Sequence, residues 1–278
     1  MARYGLHVPY RRASTSNPGA ATTMTTPQTI AVTRIGAVNV VRIDRPEKKN
    51  ALTSAMYEAM TAALRAGEAD DGVAVHVLLG VPGAFSTGND IAEFAAAAAT
   101  GKLGLQVIDF LMALANLDKP LVIGVDGLAI GIGTTALLHA DLVYASDRSL
   151  FRTPFLDLGL VPEGGSSLLA PRLMGHPLAF ELLCLGNGFD AARAAAVGMV
   201  NRVVTPDEVE PVTLAAAETL AAKPRQALAA ARRLLRTGHV TSREEVLTRI
   251  AEEAKEFSRR LASPEAAAAF AAFMGKKK

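Results

Sequence analysis

The 278-residue chain has a single cysteine, Cys184. One thiol cannot build a disulfide framework, and it leaves no cysteine-rich metal site. Charge of one sign is lacking too: 29 Lys+Arg face 27 Asp+Glu, a formal net charge of +2. That balance supplies no basic footprint of the kind a nucleic-acid binder needs. No uncharged apolar run reaches the roughly 18–20 residues that span a bilayer. The longest candidate, Gly127–Ala140, is broken by glycines and leads into Asp141. Half the residues are hydrophobic and 20% are charged, which excludes overall disorder and suffices for a sizeable core. These absences read as a globular, cytoplasmic protein with neither nucleic acid nor membrane as a partner.

Several motifs are missing as well. Gly101-Lys102 is followed by Leu103, so there is no Walker A loop, and there is no His-Glu-x-x-His. The histidines His7, His76, His139, His176 and His239 share no metal-ligand spacing and read as surface or satisfied core residues. No metal is expected. There is no Gly-x-Ser-x-Gly; Ser166 and Ser167 follow two glycines and read as caps of the next helix. Gly131-Ile-Gly133-Thr-Thr-Ala136 fits the relaxed dinucleotide fingerprint. Against that reading, the preceding turn is too long, and no acid ends a second strand about 20 residues on. No acid precedes Asp44 either. Residues 1–28, with Arg3, Arg11, Arg12 and many Ser/Thr, read as a disordered extension, a transit segment, or a prelude to a true start at Met24. The last residues, Gly275-Lys276-Lys277-Lys278, do not match the peroxisomal Ser-Lys-Leu.

What is present reads as alternating strands and helices. Thr29–Ile35 and Ala37–Ile43 form a hairpin about Gly36. Thr53 or Ser54 caps a helix to about Ala69, with Ala55, Met56, Met60, Ala63 and Leu64 on one face. Val73–Gly80 is a strand buried on both faces. A helix over Leu103–Leu117, a strand over Pro120–Val125, a helix over Gly131–His139 and a strand over Leu142–Ser146 follow. This alternation predicts parallel units in an α/β core over residues 29–206. Residues 207–278 predict only helices: Val209–Ala222, Pro224–Thr237, Ser242–Leu261 and Pro264–Met274, the last opened by Ser263-Pro264-Glu265.

Three glycine-bearing segments concentrate the chemistry. Phe85–Ile91 and Asp126–Gly133 each lead into a helix and present backbone N–H groups near its start. Two such groups from two loops can converge on one developing anion. The third, Thr153–Ser167, carries Glu163 between Pro162 and Gly164 in an apolar stretch. A carboxylate there could be a desolvated general base, or equally a first-turn acid serving the dipole of the next helix.

These segments resemble the crotonase, or enoyl-CoA hydratase/isomerase, superfamily. The markers are Arg45-Pro46 through Leu52, Phe85–Asp90, Lys119-Pro120, Asp126-Gly127 with its glycine-rich turn, Ala140–Leu142, Phe151–Gly159 and Ser263–Phe270. The resemblance runs from about Thr29 to Met274. It implies a crotonase-like spiral of ββα units with a C-terminal helical trimerisation region, assembled as trimers or dimers of trimers. It implies an acyl-CoA thioester substrate and no separate cofactor. It implies an oxyanion hole from the N–H groups of Asn89 and Ile132. The hydratase glutamates correspond here to Thr135 and Phe155, neither of which is a carboxylate. Glu163 instead matches the single catalytic glutamate of Δ3,Δ2-enoyl-CoA isomerases, and a bulky Ile132 also looks isomerase-like. The implied CoA and substrate set is Lys48, Lys49, Ala51, Asp90, Ile91, Gly131, Pro154, Phe155 and Leu158, with Arg45 and Lys102 as further phosphate candidates. The lysines could equally be solvated loop charges. Asp157 is the next candidate base should Glu163 not act, or else a structural acid of a turn. Other readings are another crotonase activity (enoyl-CoA hydratase, dienoyl-CoA isomerase or thioester hydrolase) or a CoA-ester binder without activity.

Overall fold

The computed structural model describes residues 29–100, 104–236 and 242–275. The expected extension 1–28, Lys102 and His239 lie outside them. Two sheets form the core. The larger holds β1 (Ile30–Ile35), β2 (Val38–Ile43), β3 (Val75–Leu79), β5 (Leu121–Val125), β7 (Leu142–Ser146) and β10 (Arg202–Val204), side by side in that order. The smaller holds β4 (Ala84–Ser86), β6 (Leu128–Ile130), β8 (Leu150–Arg152) and β9 (Phe189–Asp190). Hairpin β1/β2 is antiparallel, and β2, β3, β5, β7 and β10 then run parallel. After the β1/β2 hairpin, which lies wholly in the larger sheet, the pairs β3/β4, β5/β6 and β7/β8 each place one strand in the larger sheet and the next in the smaller, so repeated ββα units wind into a spiral.

Side-chain alternation builds the layers. Along β2, Val41 and Ile43 enter one apolar cluster, while Val38 and Val40 enter another on the opposite face. In β5, Leu121, Ile123 and Val125 face the first cluster and Val122 the second. A period of two with both faces covered is what a parallel sheet requires. The first face packs on α1 (Ser54–Ala69) and α3 (Leu105–Asn116), which follows α2 (Ile91–Thr100). The second is covered by α8 (Val209–Ala221), through Ala217 with Leu214 and Leu220. Between lie α4 (Ile132–Thr135), α5 (Ser166–Met174), α6 (His176–Phe180) and α7 (Ala191–Ala196); α9 (Arg225–Leu235), α10 (Arg243–Leu261) and α11 (Pro264–Gly275) end the chain.

The long elements match the sequence reading, with corrections. Helix α1 is capped by Thr53, but its buried face is turned: Ala55 is exposed, while Tyr57 and Thr61 are buried. Tyr57 is drawn inward by Phe110 of α3, whose ring lies 5.6 Å away. The helix expected over Gly131–His139 is α4 plus a 3-10 turn, Ala136–His139. The smaller sheet is not legible in the sequence, because strands of two or three residues carry no periodicity. His76 is a satisfied core residue, its Nε2 at 3.0 Å from Glu68, and His176 is exposed.

One buried amide joins the two sheets. Asn50 Nδ2 donates to the carbonyls of Ile43, Ala84 and Phe85 at 3.0, 2.9 and 3.1 Å, and its Oδ1 accepts from Arg45 N at 2.8 Å. Asn50 and the preceding Lys49 both have positive φ, 56° and 49°. Asn tolerates that region through its short polar side chain. Asn50→Ala strands these buried backbone groups and worsens the left-handed backbone. It should cost about 3 kcal/mol, read as a lower denaturant midpoint at unchanged slope.

Candidate functional site

The site is built where the smaller sheet meets the helix starts. At Gly88 (φ 83°) a Cβ would stand 3.0 Å from the Ile130 carbonyl; at Gly133 it would stand 2.8 Å from that of Ser86. Only glycine lets the 86–89 and 130–133 segments approach so closely. Leu52 N donates to Gly88 O and Asp90 N to Leu52 O, both at 2.8 Å. This parallel bridge turns the Asn89 N–H to the opposite side. Gly131 (φ 57°) opens α4, and its carbonyl accepts from Thr134 N and Thr135 N. Ile132 N–H is left among the unpaired donors of a helix start. Among the described residues neither the Asn89 nor the Ile132 N–H has an acceptor.

Glu163 reaches the same neighbourhood from the other side. It is 6% exposed. Thr135, one turn after Ile132, donates its hydroxyl to Glu163 Oε1 at 2.5 Å, while Oε2 is buried with no partner. Burial is the main force on this group and pushes its pKa up to about 8; the Thr135 bond opposes that, and the charge of Glu253 adds to it. Gly164 and Gly165 follow with φ of 72° and 75°. A Cβ on Gly164 would lie 3.1 Å from Leu111 and 3.4 Å from Thr135 Oγ1; one on Gly165 would meet Val246 and Ile250 of α10. The turn is therefore pinched between α3/α4 and α10. His139 Nε2 lies 2.7 Å from the Gly164 carbonyl, which can only accept, so Nε2 carries a proton. Burial, with the Arg236 charge, drives the His139 pKa down to about 4.

Four neighbours escape the sequence reading. The sequence presents Thr135 only as a missing acid, yet it is the hydrogen-bond partner of Glu163. Tyr57 donates to Asn89 Oδ1 at 2.7 Å; its phenol pKa is raised well above 10.0, first by burial and next by the charge of Glu163. His139 holds the turn, as does Glu253. Glu253 has a legible signal: it stands on the buried stripe Val246, Ile250, Glu253, Phe257, Leu261 of α10, an acid in an apolar register. The reading of Ser166 and Ser167 as caps is corrected. Gly165 occupies the N-cap with no side-chain cap, and the Glu253 carboxylate accepts from the N–H groups of Gly165 and Ser167.

The expected CoA loop has a more mixed fate. Lys48 and Lys49 are exposed and Ala51 and Ile91 are half-buried. Asp90 accepts from Arg45 Nη1 at 2.8 Å and from the first-turn N–H groups of α2, which hold its pKa down against burial. Arg45 also donates to the Ala51 carbonyl, so its charge is spent inside the loop. Phe155 is buried in the main cluster, Leu158 packs on it, and Pro154 and Gly131 are half-buried. Asp157 is exposed and paired with Arg152 at 2.9 Å. The dinucleotide motif is explained otherwise, since Gly133 is required by the close pass of Ser86 and α4 is only four residues long. Among the described residues no cluster of His, Cys, Asp and Glu could hold a metal ion, and no helix is long and apolar enough to cross a membrane.

Comparison with known proteins agrees with this architecture. The enoyl-CoA hydratase/isomerase family model matches residues 33–278, and the chain belongs to that family. It is 35% identical over 229 residues to enoyl-CoA delta isomerase 2 of Rattus norvegicus, covering 79% of this chain and 58% of that protein. It thus spans less than two thirds of that relative's length. It is 34% identical over 202 residues to a probable enoyl-CoA hydratase of Rhizobium meliloti, covering 70% and 76%. The solved structure of Pseudomonas aeruginosa OdaA superposes with a TM-score of 0.83 at 40% identity, covering 89% of this chain and 99% of that one. The fold is the crotonase spiral, and the similar proteins carry both isomerase and hydratase names.

The raised Glu163 pKa has a stability consequence with a definite sign. The folded chain keeps this proton up to about pH 8, whereas an ordinary glutamate loses it near 4.5. Stability contributed by the neutral group is full below pH 4.5 and is lost as pH rises through about 8. Glutamine cannot ionise. Glu163→Gln should therefore match the parent in melting temperature at acid pH and exceed it at alkaline pH, the difference opening between pH 4.5 and about 8. Scans of both proteins across pH check this.

Proposed function

We propose that the chain is an enzyme that moves the double bond of a 3-enoyl-CoA thioester to the 2-trans position, with Glu163 carrying the proton. One observation carries the reading: a buried carboxyl group, Glu163, with one oxygen held by Thr135 and the other unpartnered. The thioester oxygen would rest on the N–H groups of Asn89 and Ile132. Glu163 takes the proton from C2, electron density moves onto the thioester oxygen, and the same carboxyl returns the proton to C4. One donor of such a hole is worth about 2.7–4 kcal/mol of barrier in a comparable enzyme. A pKa of about 8 keeps the group basic enough to accept a carbon-bound proton and acidic enough to give it back.

Hydration needs a second group to manage the second proton. Glu253 is the other buried carboxylate near the turn, and its oxygens are taken by Gly165 and Ser167. That favours isomerisation over the hydratase reading that the Rhizobium meliloti relative raises. CoA is part of the substrate in this proposal, and Lys48 and Lys49 are the exposed charges at its phosphate end. Assembly into trimers or dimers of trimers through the C-terminal helices belongs to the same proposal. The 70% and 72% exposure of Leu234 and Leu235 at the end of α9 supports it.

A paired assay tests the reaction. Wild-type protein should convert a 3-trans-enoyl-CoA to the conjugated product and hydrate a 2-trans-enoyl-CoA poorly. Glu163→Gln should lose at least about 10²-fold in kcat while still binding substrate. Fast hydration, or turnover that survives Glu163→Gln, would sink the proposal. The pH profile gives a second check. Activity should climb with pH towards about 8 as Glu163 ionises. Thr135→Val removes the donor that favours the charged form, so its limb should move to higher pH.

A further inference from the structure

The turn that carries Glu163 is held by a second carboxylate from a distant part of the chain. Glu253 lies on α10, 88 positions beyond Gly165, and is 6% exposed. Its Oε2 accepts from Gly165 N at 2.6 Å. Its Oε1 accepts from Ser167 N at 2.9 Å and from Ser167 Oγ at 2.5 Å. These donors belong to the start of α5, where a helix has N–H groups without internal partners and a positive dipole end. The local sequence offers no cap: Gly165 has no side chain and Ser166 Oγ is itself buried and unpartnered. Two successive left-handed glycines give the turn little stiffness of its own. A carboxylate delivered from α10 supplies both the cap and the rigidity.

We propose that Glu253 is a positioning residue for Glu163: it fixes the 163–167 turn through three hydrogen bonds. The inference rests on the reading of Glu163 as the proton carrier. The groups facing Glu163 are Tyr57 from α1, Thr135 from α4, His139 behind the Gly164 carbonyl, and Glu253 with its neighbour Arg249 from α10. Thr135 stabilises the charged form of Glu163, and Glu253 works against it. Burial raises the pKa of Glu253 too, while Ser167, Gly165 and Arg249 oppose the rise.

The test uses the full chain with Glu253→Gln and Ser167→Ala, assayed on a 3-trans-enoyl-CoA across pH, with active sites titrated. In Glu253→Gln an amide nitrogen must face a backbone donor, so the turn loosens and the like charge is gone. The expected result is a kcat lower by about tenfold to hundredfold at unchanged KM, with the pH limb moved to lower pH. Ser167→Ala keeps the charge, so kcat should fall less and the limb should stay. A merely structural role would reduce the titrated active fraction without moving kcat per site or the limb, and that outcome overturns the proposal. Should Glu253→Gln fail to fold, Ser167→Ala with wild-type kcat overturns it equally. The melting-temperature difference between the parent and Glu163→Gln reads the Glu163 ionisation without turnover. Measured in the Glu253→Gln background, the midpoint of that difference should move to lower pH. Turnover that survives Glu163→Gln would defeat the reading of the proton carrier. Loss in Glu163→Gln beside wild-type behaviour in Glu253→Gln would defeat the positioning role alone.

Discussion

A carboxyl group placed in a protein interior without a cation holds on to its proton, and the arrangement around Glu163 follows from that constraint. Arginines are plentiful in the sequence, yet those near the site are committed: Arg45 to Asp90, Arg152 to Asp157, Arg232 to Asp141 and Arg249 to Glu252. Besides burial, the influences on Glu163 are one neutral donor, Thr135, and one repelling charge, Glu253. Neither is a cation. An arginine at the position of Thr135 would hold Glu163 ionised and weakly basic. A hydroxyl leaves the group poised, because it can serve either protonation state of its neighbour.

Poise is useful only if the carboxyl stays where the substrate needs it, and here the backbone does the holding. His139 grips the Gly164 carbonyl, and Glu253 grips the N–H groups of Gly165 and Ser167. The facing half of the site is set by the same means. Gly88 and Gly133 let two chain segments lie almost in backbone contact, which aligns the starts of two helical turns. Asn50 ties the loop that precedes α1 to the end of β2 and to β4. The smaller sheet, with strands of only two or three residues, contributes little periodic structure. Its role is to carry those turns at a fixed distance from the larger sheet.

Much of this can be read from residues before coordinates. The β-branched runs of β2, β3 and β5, the Thr53 cap and the Ser263-Pro264-Glu265 start are local signals, and the elements stand where those signals put them. Glycines against well-formed elements point to the right three loops. What escapes has no local signature. Tyr57 looks like one more residue beside an apolar stripe, and its inward turn depends on Phe110 in another helix. Thr135 meets Glu163 across 28 positions and Glu253 meets Gly165 across 88, contacts that only the folded topology creates. The charge of Arg45 suggests a phosphate, but Asp90, 45 positions away, claims it.

Several places where the chain breaks local rules lie on the loops and helix that build the site. Lys49 and Asn50 adopt left-handed backbone without glycine; Glu253 interrupts an apolar helix stripe; Glu163 is buried with one oxygen unpartnered; Ser166 has an idle hydroxyl. A sequence selected for stability alone would not bury a carboxyl oxygen and a hydroxyl without partners, since each loses its hydration with no hydrogen bond in return. Their place in the site that holds the unpaired N–H groups of Asn89 and Ile132 argues that stability has been given up for function there. A site that must move two protons independently needs two free carboxyl groups. This region has one, with a second carboxylate fully engaged in holding it still.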